Sequence, residues 1–346
     1  MRAQGKTSVL DTTAGAVSYR PRVGPAFSGE EMAVALVFPG QGSQAVGMGK
    51  ALAENFAAAR RVFDEVDAAL GDKLTAIMWN GPAETLTLTE NAQPALMAVS
   101  LAAMRVIETE AGIDLERDAA YVAGHSLGEY SALAAAGALG VADTARLVRT
   151  RGRAMQQAVP VGAGAMAALL GLEFEAAAAV AAEAAQGQVC QAANDNGGGQ
   201  VVVSGDKAAV ERAVEIAKAR GARRALMLPV SAPFHCALMQ PAADAMAQAL
   251  AAISMRAPAV PLVANVLALP INDPQEIVRS LIAQVTGTVR WRESVAFMAG
   301  AGVKTFYEVG AGKVLSGLVK RIVDSATGVA IGTPDDIAAV KASRAG

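Results

Sequence analysis

The sequence predicts an α/β fold: a mostly parallel sheet covered by helices on both faces, carrying an inserted ferredoxin-like (βαββαβ) subdomain. Three observations predict it. Short apolar runs alternate with amphipathic helical stretches along most of the chain. The first run, AVALVF at 33–38, is apolar throughout, as a strand covered on both faces requires. The middle third reads strand, helix, strand, strand, helix, strand.

The elements follow in order. AVALVF ends at Pro39-Gly40, a turn signal. Leu52, Phe56, Phe63, Val66 and Leu70 mark one face of a helix over 51–70. The next helix spans 92–110, with Pro94 in its first turn. AYVA at 120–123 is a strand, and Gly124-His125-Ser126-Leu127-Gly128 turns it into an Ala-rich helix from about 129. An Arg-rich helix covers 142–158. Then come a strand at 164–171, a helix at 173–186, strands at 188–193 and 200–204 around a polar turn at 194–199, a helix at 206–220 capped by Asp206, and a strand at 223–229. A helix from about 236 to 252, a strand at 260–266, helices at 274–286 and 291–301, a strand at 304–308 and a final helix at 312–324 complete the reading. The domain division expected is a flexible extension at 1–31, an α/β core at 32–160 and 231–346, and the ferredoxin-like subdomain at 161–230. The first 31 residues lack apolar periodicity and the apolar run of a secretory signal, so Met32 is a sensible start of the folded part.

Composition narrows the function. Of 346 residues, 53% are apolar, which excludes a disordered chain. Thirty basic against 32 acidic residues leave a net charge of −2, so nucleic acid is not an expected partner. Two cysteines, Cys190 and Cys236, and two histidines make neither a disulfide framework nor a metal site, so no metal or cofactor is expected and the compartment reads as cytoplasmic. No apolar stretch is long enough for a membrane span.

The chemistry begins at G-H-S-L-G. Between a strand and a helix, G-x-S-x-G describes a sharp turn that exposes the Ser126 hydroxyl and needs small residues on either side. The following helix aims backbone N–H groups and its positive end at the same spot, and the Leu127 N–H is a natural oxyanion donor. His125 sits in the turn itself, so its ring should point away. His235, in VSAPFHC, is then the only other imidazole available as a base. No Asp or Glu stands out as its partner, and about 110 residues follow it, unlike the usual late hydrolase histidine. Gln41, between Gly40 and Gly42, lacks the Lys-Ser/Thr of a phosphate loop; it is either a plain βα turn or a second oxyanion donor. Arg146, Arg149 and Arg153 share one helix side, which reads as a solvated face, while Arg151 falls elsewhere. An arginine turned inward beside Met155 and Val148 needs an anion, and a carboxylate fits its fork.

Together these residues resemble the malonyl-CoA:acyl carrier protein transacylase family, acyltransferases of bacterial type II fatty acid synthesis. FPGQGSQAVGMG (38–49), TENAQPALMA (89–98), GHSLGEYSAL (124–133), RGRAMQ (151–156), AANDNGGGQVVVSG (192–205), PVSAPFHCALM (229–239) and FYEVGAGKVLSGLVKRIV (306–323) carry the resemblance, in register from about 33 to 324. It implies a hydrolase-like core, Ser126 as the acylated nucleophile, His235 as base, and the Gln41 and Leu127 N–H groups as oxyanion hole. It further implies Arg151 as holder of the malonyl carboxylate, Gln284 orienting His235 through its backbone carbonyl, and Gln93, Asn196 and Phe234 lining the substrate site. Phe234 goes with small, malonyl-type substrates. The implied partners are malonyl-CoA and acyl carrier protein, with Lys313, Lys320 and Arg321 as candidate contacts for an acidic carrier or simply a charged helix end, and a monomer is expected. Thr288 stands where the family has Pro, which should affect a loop more than the chemistry. The competing functions are a serine thioesterase or esterase, with water as acceptor, and a non-catalytic carrier-docking module.

Overall fold

The computed structural model describes residues 33–345, so the extension expected at 1–31 lies outside the described residues. The strands are β1 (Ala33–Phe38), β2 (Ala119–Gly124), β3 (Gly164–Leu170), β4 (Cys190–Asp195), β5 (Gln200–Asp206), β6 (Arg224–Met227), β7 (Leu262–Val263), β8 (Pro270–Ile271), β9 (Val303–Val309) and β10 (Thr327–Ile331). They form two sheets, ordered β10-β9-β1-β2-β7-β8 and β4-β5-β3-β6. In the first, β10, β9, β1, β2 and β7 run parallel and only β8 is antiparallel. The second is antiparallel throughout, with two helices, Phe174–Ala185 and Lys207–Ala219, on one face. The α/β class with its inserted ferredoxin-like unit is therefore the architecture observed.

The side-chain alternation of β1 explains its unbroken apolar run. Leu36 and Phe38 pack into one cluster with the helices Thr89–Glu110 and Val141–Gln157. Ala35 and Val37 face the other way, onto Trp291, Val295 and Phe306. A strand covered on both faces can spare no polar position, and each large side chain so buried contributes about 1.5–3 kcal/mol. The second sheet has its own cluster, built from Leu169, Val201 and Val203 against Val180 and Val210. It is tied to the first unit where Val289 bridges Asn194, and the Thr288 hydroxyl donates to the Ala192 carbonyl at 2.7 Å. A proline at 288 could not make that bond.

Several elements differ from expectation. The helix expected over 51–70 is two, Lys50–Asn55 and Ala57–Leu70, because Phe56 is extended between them. Its apolar face continues across the break, so the pattern alone does not reveal it. The helix Thr89–Glu110 starts earlier than expected, which places Pro94 inside it rather than in its first turn. Asp206 does precede its helix, but its carboxylate accepts from the Val189 N–H at 2.7 Å instead of capping. The strand expected at 260–266 pairs only over Leu262–Val263. Beyond the expected end lie β10 and a helix, Pro334–Ala345, whose start is held by the Asp336 side chain accepting from the Gly332 and Thr333 N–H groups.

Candidate active site

The strand ends of β1 and β2 lie side by side, with Phe38 paired to Gly124. Each runs into a turn at the C-terminal edge of the parallel sheet, where open α/β sheets place their ligands. The second of these turns is sharp. Ser126 sits at φ 55°, a left-handed conformation that costs a non-glycine residue about 1–3 kcal/mol. Glycines make the turn possible. A Cβ on Gly124 would stand 1.9 Å from the Gly128 carbonyl carbon, and one on Gly128 would stand 2.2 Å from the Phe38 oxygen. Only hydrogen fits at either place.

The Ser126 hydroxyl meets two groups. It donates to His235 Nε2 at 2.8 Å and accepts from Arg151 Nη2 at 3.1 Å. His235 Nδ1 faces two carbonyl oxygens, Gln284 at 2.9 Å and Gly287 at 3.2 Å. Carbonyls only accept, so Nδ1 carries the proton and Nε2 presents its lone pair to Ser126. No carboxylate is needed to set that tautomer. His125 turns away from the hydroxyl, and its Nε2 pairs with Asn196 Oδ1 at 2.9 Å. The Gln41 and Leu127 N–H groups, one in each turn, take no hydrogen-bond partner among the described residues.

Burial pushes the His235 imidazole down to about 3, and the positive charge of Arg151 pushes in the same direction. The ring is thus neutral, ready to accept a proton, across the physiological range. Labelling of Ser126 by an uncharged serine-directed phosphonate should be constant from pH 7 to pH 5 and fall only near pH 3. A midpoint near 6.5, the ordinary histidine value, would contradict this. The stability linkage has a matching sign. The unfolded chain protonates His235 below about 6.5, whereas the folded chain does not until about 3. Its contribution to stability is therefore complete above 6.5 and is lost as pH falls through that interval.

Arg151 is 1% exposed. Its Nη1 donates to Gln93 Oε1 at 2.9 Å and its Nη2 to Gln284 Oε1 at 2.7 Å, while its Nε has no partner among the described residues. No carboxylate among the described residues bonds to this guanidinium, although a buried cation ordinarily has one. The neighbouring arginines behave differently. Arg149 is also buried, against the expectation of a solvated face, and pairs with Asp72 and Asn91. Arg146 and Arg153 are exposed and pair with Asp143 and Glu90. Burial together with a missing anion singles out Arg151.

These groups line a cleft of about 460 Å³ between the two sheets, with Gln41, Phe234 and Leu318 in its walls. Gln93 and Asn196 also line it, but each side chain is engaged, Gln93 with Arg151 and Asn196 with His125. At the rim stands Val314, half exposed, on the helix Val314–Ile322, and Lys313, Lys320 and Arg321 are exposed on that same segment. A hydroxyl, a neutral imidazole, two free N–H donors and a cation without a carboxylate, brought together in one cleft, can support acyl transfer from an acid-bearing donor.

Two residues of this site went unread in the sequence. Asn265 accepts the Ser126 N–H on its Oδ1 at 2.8 Å and donates from Nδ2 to the Gly124 oxygen at 2.7 Å. Glu129, fully buried, accepts the Asn265 N–H at 2.6 Å and the Gln284 side-chain amide. Burial pushes its carboxyl up to about 8, against the pull of those two donors and of Arg151. The available signal for Asn265 was a polar residue at the end of an apolar strand. Glu129 in a first helical turn looks like ordinary dipole complementation.

The family model described as acyl transferase domain matches residues 35–335. The chain is 50% identical over 305 residues to the malonyl CoA-acyl carrier protein transacylase of Escherichia coli strain K12, covering 88% of this chain and 97% of that protein. The crystal structure of acyl-carrier-protein-S-malonyltransferase from Bartonella henselae superimposes with a TM-score of 0.88 at 55% identity, over 91% of this chain and all of that one. A malonyl-transacylase solved in complex with its holo type II PKS acyl-carrier protein superimposes with a TM-score of 0.87 at 43% identity, over 90% of this chain and 99% of that one.

Proposed function

From the premise that this chain belongs to the acyl transferase family, we propose that it transfers malonyl from malonyl-CoA to the phosphopantetheine thiol of acyl carrier protein through a malonyl-Ser126 ester. The observation that carries this reading is the buried Arg151 guanidinium, without a carboxylate, 3.1 Å from the Ser126 hydroxyl. In the first half-reaction His235 Nε2 takes the hydroxyl proton as Ser126 Oγ bonds to the thioester carbon. The oxyanion is held by the Gln41 and Leu127 N–H groups, each worth about 3–4 kcal/mol in comparable sites. The C–S bond breaks, and the CoA sulfur leaves with the proton held by His235. In the second half-reaction the carrier thiol gives its proton to His235 and attacks the ester, and Ser126 takes the proton back. Arg151 grips the malonyl carboxylate throughout, and Phe234 bounds the space for its methylene.

The carrier approaches the rim at Val314, with Lys313 beside the opening and Lys320 and Arg321 further along the helix. We place the enzyme in the cytoplasm as a monomer; its two thiols are free and buried, and no described helix is long and apolar enough to cross a membrane.

The test is acid-quenched incubation with radiolabelled malonyl-CoA and, separately, acetyl-CoA, followed by peptide mapping. Stable malonyl on the Ser126 peptide with little acetyl is the expected result. Rapid release of free malonate without carrier protein would overturn it in favour of a thioesterase.

A further inference from the structure

The Gln284 side chain has one oxygen and one NH₂, and three groups face it. The Ser126 carbonyl accepts from its Nε2 at 2.9 Å, the Glu129 carboxyl accepts from the same nitrogen, and Arg151 donates to its Oε1 at 2.7 Å. Only one of the two amide orientations satisfies all three. Asn265 completes the arrangement, gripping the Ser126 N–H while its own N–H rests on Glu129. Both backbone polar groups of the left-handed Ser126 are thus held by side-chain amides, and the Glu129 carboxyl anchors the Gln284 amide directly and Asn265 through its main-chain N–H. Glu129, Asn265 and Gln284 are all fully buried.

We propose that Glu129 is a positioning residue: it fixes the Gln284 amide so that its oxygen faces Arg151, leaving the guanidinium free of any resident carboxylate and open to that of the substrate. This rests on the malonyl-transfer reading above. Each oxygen of Glu129 has an N–H donor on it, from Asn265 and from Gln284, so both are used as acceptors. A glutamine there would offer one oxygen and one NH₂ to two N–H donors, so one contact must become donor against donor. The Gln284 amide would then have reason to turn, bringing its NH₂ toward Arg151 and displacing the guanidinium.

The experiment compares wild type, E129Q and the swap E129Q/Q284E. It measures thermal midpoints and kcat/KM for malonyl-CoA and acetyl-CoA. In the swap, the introduced amide keeps its oxygen on Asn265 and donates from its NH₂ to the introduced carboxylate, which restores the contact between positions 129 and 284; the Ser126 carbonyl loses its bond from position 284 and keeps only the backbone N–H of residue 129. That carboxylate then places its other oxygen on Arg151, while the main-chain carbonyl that holds His235 is untouched. For E129Q, kcat/KM for malonyl should fall about 10–100-fold, with a smaller loss for acetyl. The swap should fold and lower the malonyl-to-acetyl ratio at least about tenfold, because a carboxylate now occupies the fork. If E129Q does not fold, the swap decides. A folded E129Q or swap with the wild-type ratio overturns the inference and leaves malonyl transfer standing. A wild-type protein without malonyl preference overturns both.

Discussion

A His235→Asn variant is expected to form its acyl-enzyme about 10²–10⁴ times more slowly than wild type. Among the described residues, His235 Nε2 is the only acceptor that the Ser126 hydroxyl donates to, at 2.8 Å. The other group on Oγ, the Arg151 guanidinium, has no lone pair to take a proton. Asparagine is the informative replacement. His235 lies at φ 59°, a region where asparagine is far more at ease than alanine, so the loop keeps its path. Loss of rate then reports loss of the base rather than of the fold. Ser126→Ala should form no adduct at all. Adding His235→Asn to it should lower residual turnover no further, because the two residues act as a unit. Rapid-quench measurement of adduct formation checks the single variants, and steady-state turnover of Ser126→Ala with and without His235→Asn checks the last statement. Wild-type labelling by a folded His235→Asn protein would remove His235 from the proton path.

The contrast between Ser126 and Glu129 shows how much of the site was legible in the sequence. The Ser126 turn is a local constraint, because a strand must reverse into a helix within five residues. The glycines that allow it stand beside the serine. His235 became legible by elimination, since the chain has only two imidazoles and the other lies in the turn. Gln284 orients His235 through a carbonyl that every residue possesses, so no side-chain pattern could point to it; only resemblance did. Glu129 and Asn265 meet across 136 positions of sequence. Each looks ordinary in its own segment, and only the closed sheet makes them neighbours. The same reasoning applies to the fold. β1 was plain because both faces are buried, whereas β10 is a half-exposed edge strand, and TGVAI carries too weak a pattern to separate from a loop.

Arg151→Ala should cost malonyl transfer about 10²–10⁴-fold in kcat/KM, the effect of leaving one charge of a buried, hydrogen-bonded pair without its partner. Acetyl carries no carboxylate, so its transfer should change far less, and the preference for malonyl should collapse. An apolar pocket alone separates such small groups weakly, which is why the whole preference falls on this residue. Arg151→Lys should restore only part of it. An ammonium is a point charge and cannot reach Gln93, Gln284 and a carboxylate in the planar arrangement the guanidinium holds. A second readout follows from electrostatics. The Arg151 charge helps to hold the His235 imidazole down at about 3, so its removal should raise that value and move the acidic fall in Ser126 labelling toward neutral pH. Equal losses for malonyl and acetyl, with the acidic limb unmoved, would mean that Arg151 merely packs the site. A selective loss accompanied by an upward shift of that limb would tie both substrate choice and the readiness of the base to one buried cation.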